Sequence, residues 1–209
     1  MVPLFPTSRT AAPSMMGSVV CRGTRVTSSE ELGSVTGASD AAESRFYSGR
    51  YEYRQGWRGG YLDRPDRDQT LEALFSDRVV VFDGHGAEAV IGNQMGDEAT
   101  TAASIRALHD QYGFTSAAKF VLLECCLSAL NTPASVANAL EYVGVDCIIG
   151  WTINCPGSDP GYFELLDLMC NQGKSAYRAY LQVCMDHLDT WGPENTRIIG
   201  NAELWGEPL

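Results

Sequence analysis

Two short segments of the chain end apolar runs in side chains that can do chemistry. Residues 79–86, VVVFDGHG, close on a carboxylate, Asp83, and an imidazole, His85, fenced by Gly84 and Gly86. Residues 121–130, VLLECCLSAL, close on Glu124 and two adjacent thiols, Cys125 and Cys126, the second standing 41 residues beyond His85. An imidazole titrates near neutral pH and can take a proton from a thiol, and the resulting thiolate is the nucleophile of acyl transfer. Asp83 offers a different chemistry, an oxygen ligand for a hard cation. Such a cation needs at least two oxygen ligands, and Asp83 alone does not supply them. Taken singly, a buried cysteine is an ordinary core filler and a glycine-flanked histidine an ordinary turn. It is their occurrence together, in order and at the ends of apolar runs, that points to a site.

The elements that must position these residues alternate from Asp68 onward. Asp68 can cap a helix whose Leu71, Leu74 and Phe75 share one face, and 79–82 reads as a buried strand. A helix over about 101–112 places Ile105 and Leu108 inward and stops at Gly113, before the strand 120–123. Thr132 and Pro133 suggest an N-cap and first-turn proline for a helix carrying Val136, Leu140 and Val143 to Gly144, followed by the strand CIIGW, 147–151. Two helices follow: about 162–170, with Phe163, Leu166 and Met169 at helical spacing, and about 174–188, with Tyr177, Leu181, Cys184 and Leu188 likewise. TRIIGN supplies a last strand. Continuous apolar strands separated by amphipathic helices predict the α/β class: a doubly wound, mainly parallel sheet with helices on both faces.

In such sheets ligands gather beyond the carboxyl ends of the strands. His85 and the Glu124-Cys125-Cys126 triplet are therefore expected on one edge, from neighbouring strands about 5 Å apart. Strand alternation puts Glu124 and Cys126 on one face and Cys125 in the opposite layer, where a free cysteine packs as a small hydrophobe.

The spacing and order of VVVFDGHG and VLLECCLSAL resemble the His-Gly and Asp-Ala-Cys-x-Ser-Gly blocks of caspase-like cysteine peptidases, the clan of metacaspases, gingipains and separase-related enzymes. CIIGW is similar to the clan's following strand. YFELLDLMCNQGKSAYRAYLQV looks like its helix, Gly-Lys-Ser turn and helix, and IIGNAEL like its closing GDPxL, so the likeness spans residues 68–204. It implies a three-layer sandwich over 45–209 and a His85–Cys126 dyad that needs no cofactor or metal. It also implies an oxyanion hole from the amides of Gly86 and Cys126, and a peptide or protein substrate. On that register Cys126 takes the nucleophile's place and Cys125 that of the alanine. Glu124 replaces an aspartate that helps bind a basic side chain in metacaspases, and Asp159, in the loop after CIIGW, is a second candidate for that job. Ala129 replaces a glycine, removing a residue that could take a positive φ just past the nucleophile. Two other readings stand beside this one. One is a non-catalytic member of the same fold. The other rests on the resemblance of VFDGHG to a VFDGHGG segment of metal-dependent serine/threonine phosphatases, but no later Asp-Gly or Asp-Asn block like theirs is found.

Composition narrows the partners. A chain of 209 residues with 44% apolar content supports one well-buried core. A formal charge of −11 repels nucleic acid and anionic membranes and attracts basic groups. The stretch 45–65 is rich in aromatics and arginines, yet its glycines suit turns, and it reads as a strand pair or an exposed loop. Residues 1–44, rich in Ser, Thr, Gly and Ala, read as a weakly ordered segment with GSVVCRGTRV as one short strand. The seven cysteines form no CxxC pair and have only three histidines to help them build a zinc site, so reduced thiols are expected. His109 and His187 read as helix-surface residues. The N-terminus lacks a signal-peptide core and no run of about 18 apolar residues appears, which together predict a cytoplasmic location.

Overall fold

In the computed structural model the described residues are 16–21, 52–53, 67–76, 79–92, 99–157, 159–170 and 172–201. Three five-residue runs, β3 (Val79–Asp83), β7 (Phe120–Glu124) and β8 (Cys147–Trp151), lie side by side and parallel at the centre of a six-stranded sheet. Every residue of β7 and β8 is buried, which is why these runs read as continuously apolar rather than alternating. The sheet is extended on one side by β1 (Met16–Cys21) and β2 (Glu52–Tyr53), both parallel, and on the other by β9 (Thr196–Gly200), which runs antiparallel. The order is β2-β1-β3-β7-β8-β9, so the direction of winding reverses between β1 and β3. β1 falls within the segment expected to hold a short strand. The rest of 1–44 and most of 45–65 lie outside the described residues.

Helices cover both faces. On one, α1 (Arg67–Ser76), α2 (Ala102–Tyr112) and α3 (Val136–Tyr142) pack Leu71, Leu74, Ile105, Leu108 and Leu140 against Val80, Phe82, Val121, Leu123 and Ile148. On the other, α4 (Gly161–Cys170), α5 (Ala176–Asp186) and the short α6 (Leu188–Trp191) pack against Val81, Phe120, Leu122, Ile149 and Trp151. The fold is thus mixed α/β with a mostly parallel sheet between two helical layers. A small antiparallel sheet, β4 (Gly86–Ala87), β5 (Val90–Ile91) and β6 (Thr100–Thr101), follows His85 directly. Its strands of two residues carry no periodicity that a sequence could display.

Local chemistry sets the boundaries. Thr101 caps α2 in a reciprocal pair with Ser104, and Gly113, at φ 69, ends it as expected. The third helix departs from expectation: it begins at Val136, capped by the Ser135 hydroxyl, which accepts from Asn138 N–H at 3.2 Å. The Thr132 hydroxyl donates instead to Glu88, tying the turn before the helix to the β4–β5 hairpin. The inward faces of α4 and α5 agree with expectation at Leu166, Met169 and Cys184, which are buried, and differ elsewhere. Phe163, Tyr177, Leu181 and Leu188 are exposed, while Tyr162, Leu165, Ala176, Ala179, Tyr180 and Val183 are buried. On α5 alanines and the Tyr180 ring, whose hydroxyl bonds Thr196, fill the layer in place of the larger apolar residues. Among the described residues no helix is long and apolar enough to cross a membrane.

Candidate active site

His85 and Cys126 reach the same sheet edge by register. Asp83, the last residue of β3, pairs with Glu124, the last of β7, and Gly84 N–H continues the ladder by donating to the Glu124 carbonyl at 3.0 Å. His85 and Cys126 are thus each two residues past the same register pair, on adjoining strands whose backbones run about 4.8 Å apart. The His85 carbonyl accepts from Gly92 N–H at 3.1 Å, which folds the β4–β5 hairpin back beneath the imidazole's own backbone. Gly86 is packed hard against β7: a Cβ built there would lie 2.9 Å from the Cys125 Cβ and 3.0 Å from the Val90 carbonyl. The glycine flanks of His85 therefore serve to bring the hairpin close to the thiol pair.

The two thiols part company. Cys125 is fully buried in the layer shared with Val121 and Leu123, whereas Cys126 is partly exposed. The chain then turns sharply at Leu127, which has φ 57; among the described residues the other positive-φ positions are all glycines. A bulky side chain in that region costs about 1–3 kcal/mol. Leu127 N–H donates to the Ile153 carbonyl at 2.9 Å and Ala129 N–H to the Trp151 carbonyl at 2.9 Å. Ser128, fully buried, donates to the Cys125 carbonyl at 2.9 Å and accepts from Trp151 N–H at 3.3 Å. Gly150 makes room for this turn, since a Cβ there would lie 2.8 Å from Ser128 Oγ. The positive φ anticipated from the glycine that Ala129 replaces is thus carried two residues earlier, and Ala129 sits in the core without it.

Glu124 is 2% exposed. The Cys155 thiol, in the loop after β8, is pushed well above its ordinary pKa first by burial and next by the Glu124 charge. Cys155 Sγ is 3.1 Å from the Tyr162 hydroxyl, which joins the loop to α4. Asp159 is held by structural bonds of its own. Its Oδ1 accepts from Trp191 Nε1 at 2.9 Å and from Gly161 N–H at 2.7 Å, fixing the start of α4 against α6. Trp151, Tyr162 and Trp191 pack edge to face beneath it, with centroids 5.0 to 6.1 Å apart. Sequence reasoning singled out neither this aromatic cluster nor Leu127. The cluster draws on a strand end and two helices far apart in the chain, and Leu127 has no signal in its letter at all.

The remaining histidines and cysteines lie elsewhere. His109 Nδ1 meets the Phe114 carbonyl at 2.8 Å, and His187 Nε2 meets Glu164 Oε2 at 2.9 Å, an α4–α5 link that chain distance concealed. Burial, with Asp146 beside it, pushes the Cys147 thiol up to about 12, and Cys184 donates to the Trp191 carbonyl at 2.8 Å. Among the described residues no three His, Cys, Asp or Glu side chains converge as a metal site, and the Asp83 side chain is not among them.

These features define an α/β protein in which His85 and Cys126 each follow, two residues on, the paired carboxyl ends of two central parallel strands. No protein-family model matches the chain, and no curated protein matches it.

Proposed function

We propose that this chain is a cysteine endopeptidase of the caspase-like type, using His85 and Cys126 to hydrolyse peptide bonds after a basic residue. The observation that carries the proposal is the register: Asp83 pairs with Glu124, so His85 and Cys126 each lie two residues past paired ends of adjacent parallel strands. Burial of Cys125 and partial exposure of Cys126 support the choice between the thiols. The two helical layers flanking the sheet support the three-layer sandwich that the resemblance implies.

In this mechanism the Cys126 thiol gives its proton to His85 and its sulfur attacks the carbonyl carbon of the scissile peptide. The negative oxygen that forms is stabilised by the amides of Gly86 and Cys126, each such donor contributing roughly 3–4 kcal/mol in well-studied hydrolases. Imidazolium protonates the departing amine, leaving a thioester. Water then gives a proton to His85 and its oxygen to the acyl carbon, releasing the carboxylic acid and restoring the thiol. Glu124 holds the basic side chain on the amino side of the cut bond through a charge-assisted pair. Because Glu124 is 2% exposed, the pair forms only if the groups covering Glu124 give way to the entering side chain. The negative charge of the chain favours such a substrate.

Stoichiometric labelling with iodoacetamide or a peptidyl acyloxymethyl ketone tests the proposal. Fast alkylation of Cys126 that is lost in His85→Ala is expected. Slow, uniform labelling of all exposed thiols would favour a non-catalytic scaffold, and manganese-dependent phosphate release abolished by EDTA would return Asp83 to the phosphatase reading.

A further inference from the structure

We infer that Leu127 is a positioning residue, whose left-handed backbone turns the chain so that Cys126 stays at the sheet edge while Cys125 and Ser128 remain in the core. Its kinetic consequence rests on the peptidase reading above; its structural consequence does not.

A strand continuing through β7 would keep residues 124, 126 and 128 on one face. The chain instead buries Cys125, Ser128 and Ala129 and leaves Cys126 and Leu127 partly exposed, so the alternation breaks at the residue with φ 57. Glycine takes that conformation freely, and asparagine tolerates it because its short polar side chain can bond the local backbone; leucine can do neither. The surroundings must therefore impose it. They do so from the far side of the turn: Leu127 N–H and Ala129 N–H both donate to the chain at the end of β8, through Ile153 and Trp151. Leu130 N–H closes onto the Leu127 carbonyl at 3.4 Å, and Ala137 N–H fixes the Ser128 carbonyl at 3.0 Å. Strain that persists beside a partly exposed thiol is the signature of a pre-organised group.

The test compares Leu127→Gly and Leu127→Asn, which accept the conformation, with Leu127→Val, whose β-branched side chain opposes it more than leucine does, and Leu127→Thr as a smaller β-branched opponent should the valine variant not fold. Three quantities are read: the rate of iodoacetamide alkylation at Cys126 relative to Cys125, resolved by mass spectrometry; kcat and KM on an arginyl peptide amide; and the melting temperature. Glycine and asparagine should keep the alkylation ratio and kcat within about threefold. Valine should lower both by tenfold or more at nearly constant KM, since small misplacements of a reacting group cost rate rather than binding, and threonine should give a loss of about threefold or more. A folded valine or threonine variant with kcat and alkylation ratio within twofold of the parent overturns the inference. If the parent hydrolyses no peptide, the peptidase reading fails alone, and the alkylation ratio decides about Leu127: an equal ratio across all variants overturns it.

Discussion

Alanine at position 86 should disturb the site more than its size suggests. Its Cβ would stand 2.9 Å from Cys125 Cβ, 3.1 Å from Cys125 Sγ and 3.0 Å from the Val90 carbonyl. Comfortable carbon contacts begin near 3.5–4.0 Å, so the strand must retreat by roughly 0.6–1 Å. Val90 lies on β5, the partner of the strand bearing Gly86, so it cannot yield independently, and the hairpin moves away from β7 as a unit with His85 at its root. Overpacking of this kind costs about 1–3 kcal/mol. In a chain of this size that corresponds to a fall in Tm of roughly 2–4 °C per kcal/mol. A retreat of about 1 Å at a catalytic pair should also cost on the order of 100-fold in the His85-dependent alkylation of Cys126. Cys125→Gly in the same chain removes two of the three close contacts, so thermal melts of the single and double variants should show a favourable coupling of about 1–2 kcal/mol. Parental Tm and alkylation in Gly86→Ala, or strict additivity in the cycle, would refute the packing account.

Four further outcomes are expected. Cys126→Ala should abolish peptide hydrolysis, while Cys125→Ala lowers Tm yet retains partial activity; equal loss in both would leave the choice of thiol unsupported. Among matched peptides, Arg or Lys before the cut bond should lead Asp or Leu by about tenfold or more, about 1.4 kcal/mol, and Glu124→Gln should erase that lead. Asp159→Ala leaves the buried Trp191 indole N–H and the Gly161 amide without their acceptor, so it should cost about 1–3 kcal/mol in a thermal or denaturant melt while the Arg preference holds. The Cys147 thiol, pushed from an ordinary value of about 9 up to about 12, binds its proton more tightly in the folded chain. Its contribution is complete below pH 9 and is lost above it at about 1.4 kcal/mol per pH unit, so alkaline melts should show a slope that Cys147→Ala flattens.

The central strands and the caps of α2 were legible because their causes are local. Five consecutive apolar residues bounded by turn signals suit a strand buried on both faces, and Thr101 and Gly113 satisfy helix ends by their own side chain and backbone. The candidate pair was legible for the same reason, since strand ends and their reactive residues are neighbours in the chain. The sheet order, with β1 and β2 beside β3, and the antiparallel β9 depend on pairings between distant segments. So do the use of Ser135 rather than Thr132 as a cap, with the threonine hydroxyl bonded to Glu88, and the inward face of α5, where alanines and Tyr180 fill the layer. Residue order was enough to say where β3 and β7 end, and so that His85 and Cys126 follow strand ends. It could not say that Asp83 and Glu124 stand in register, that Asp159 is engaged by Trp191, or that Leu127 is held in a backbone conformation its own side chain disfavours, because each of these is enforced by groups far away along the chain.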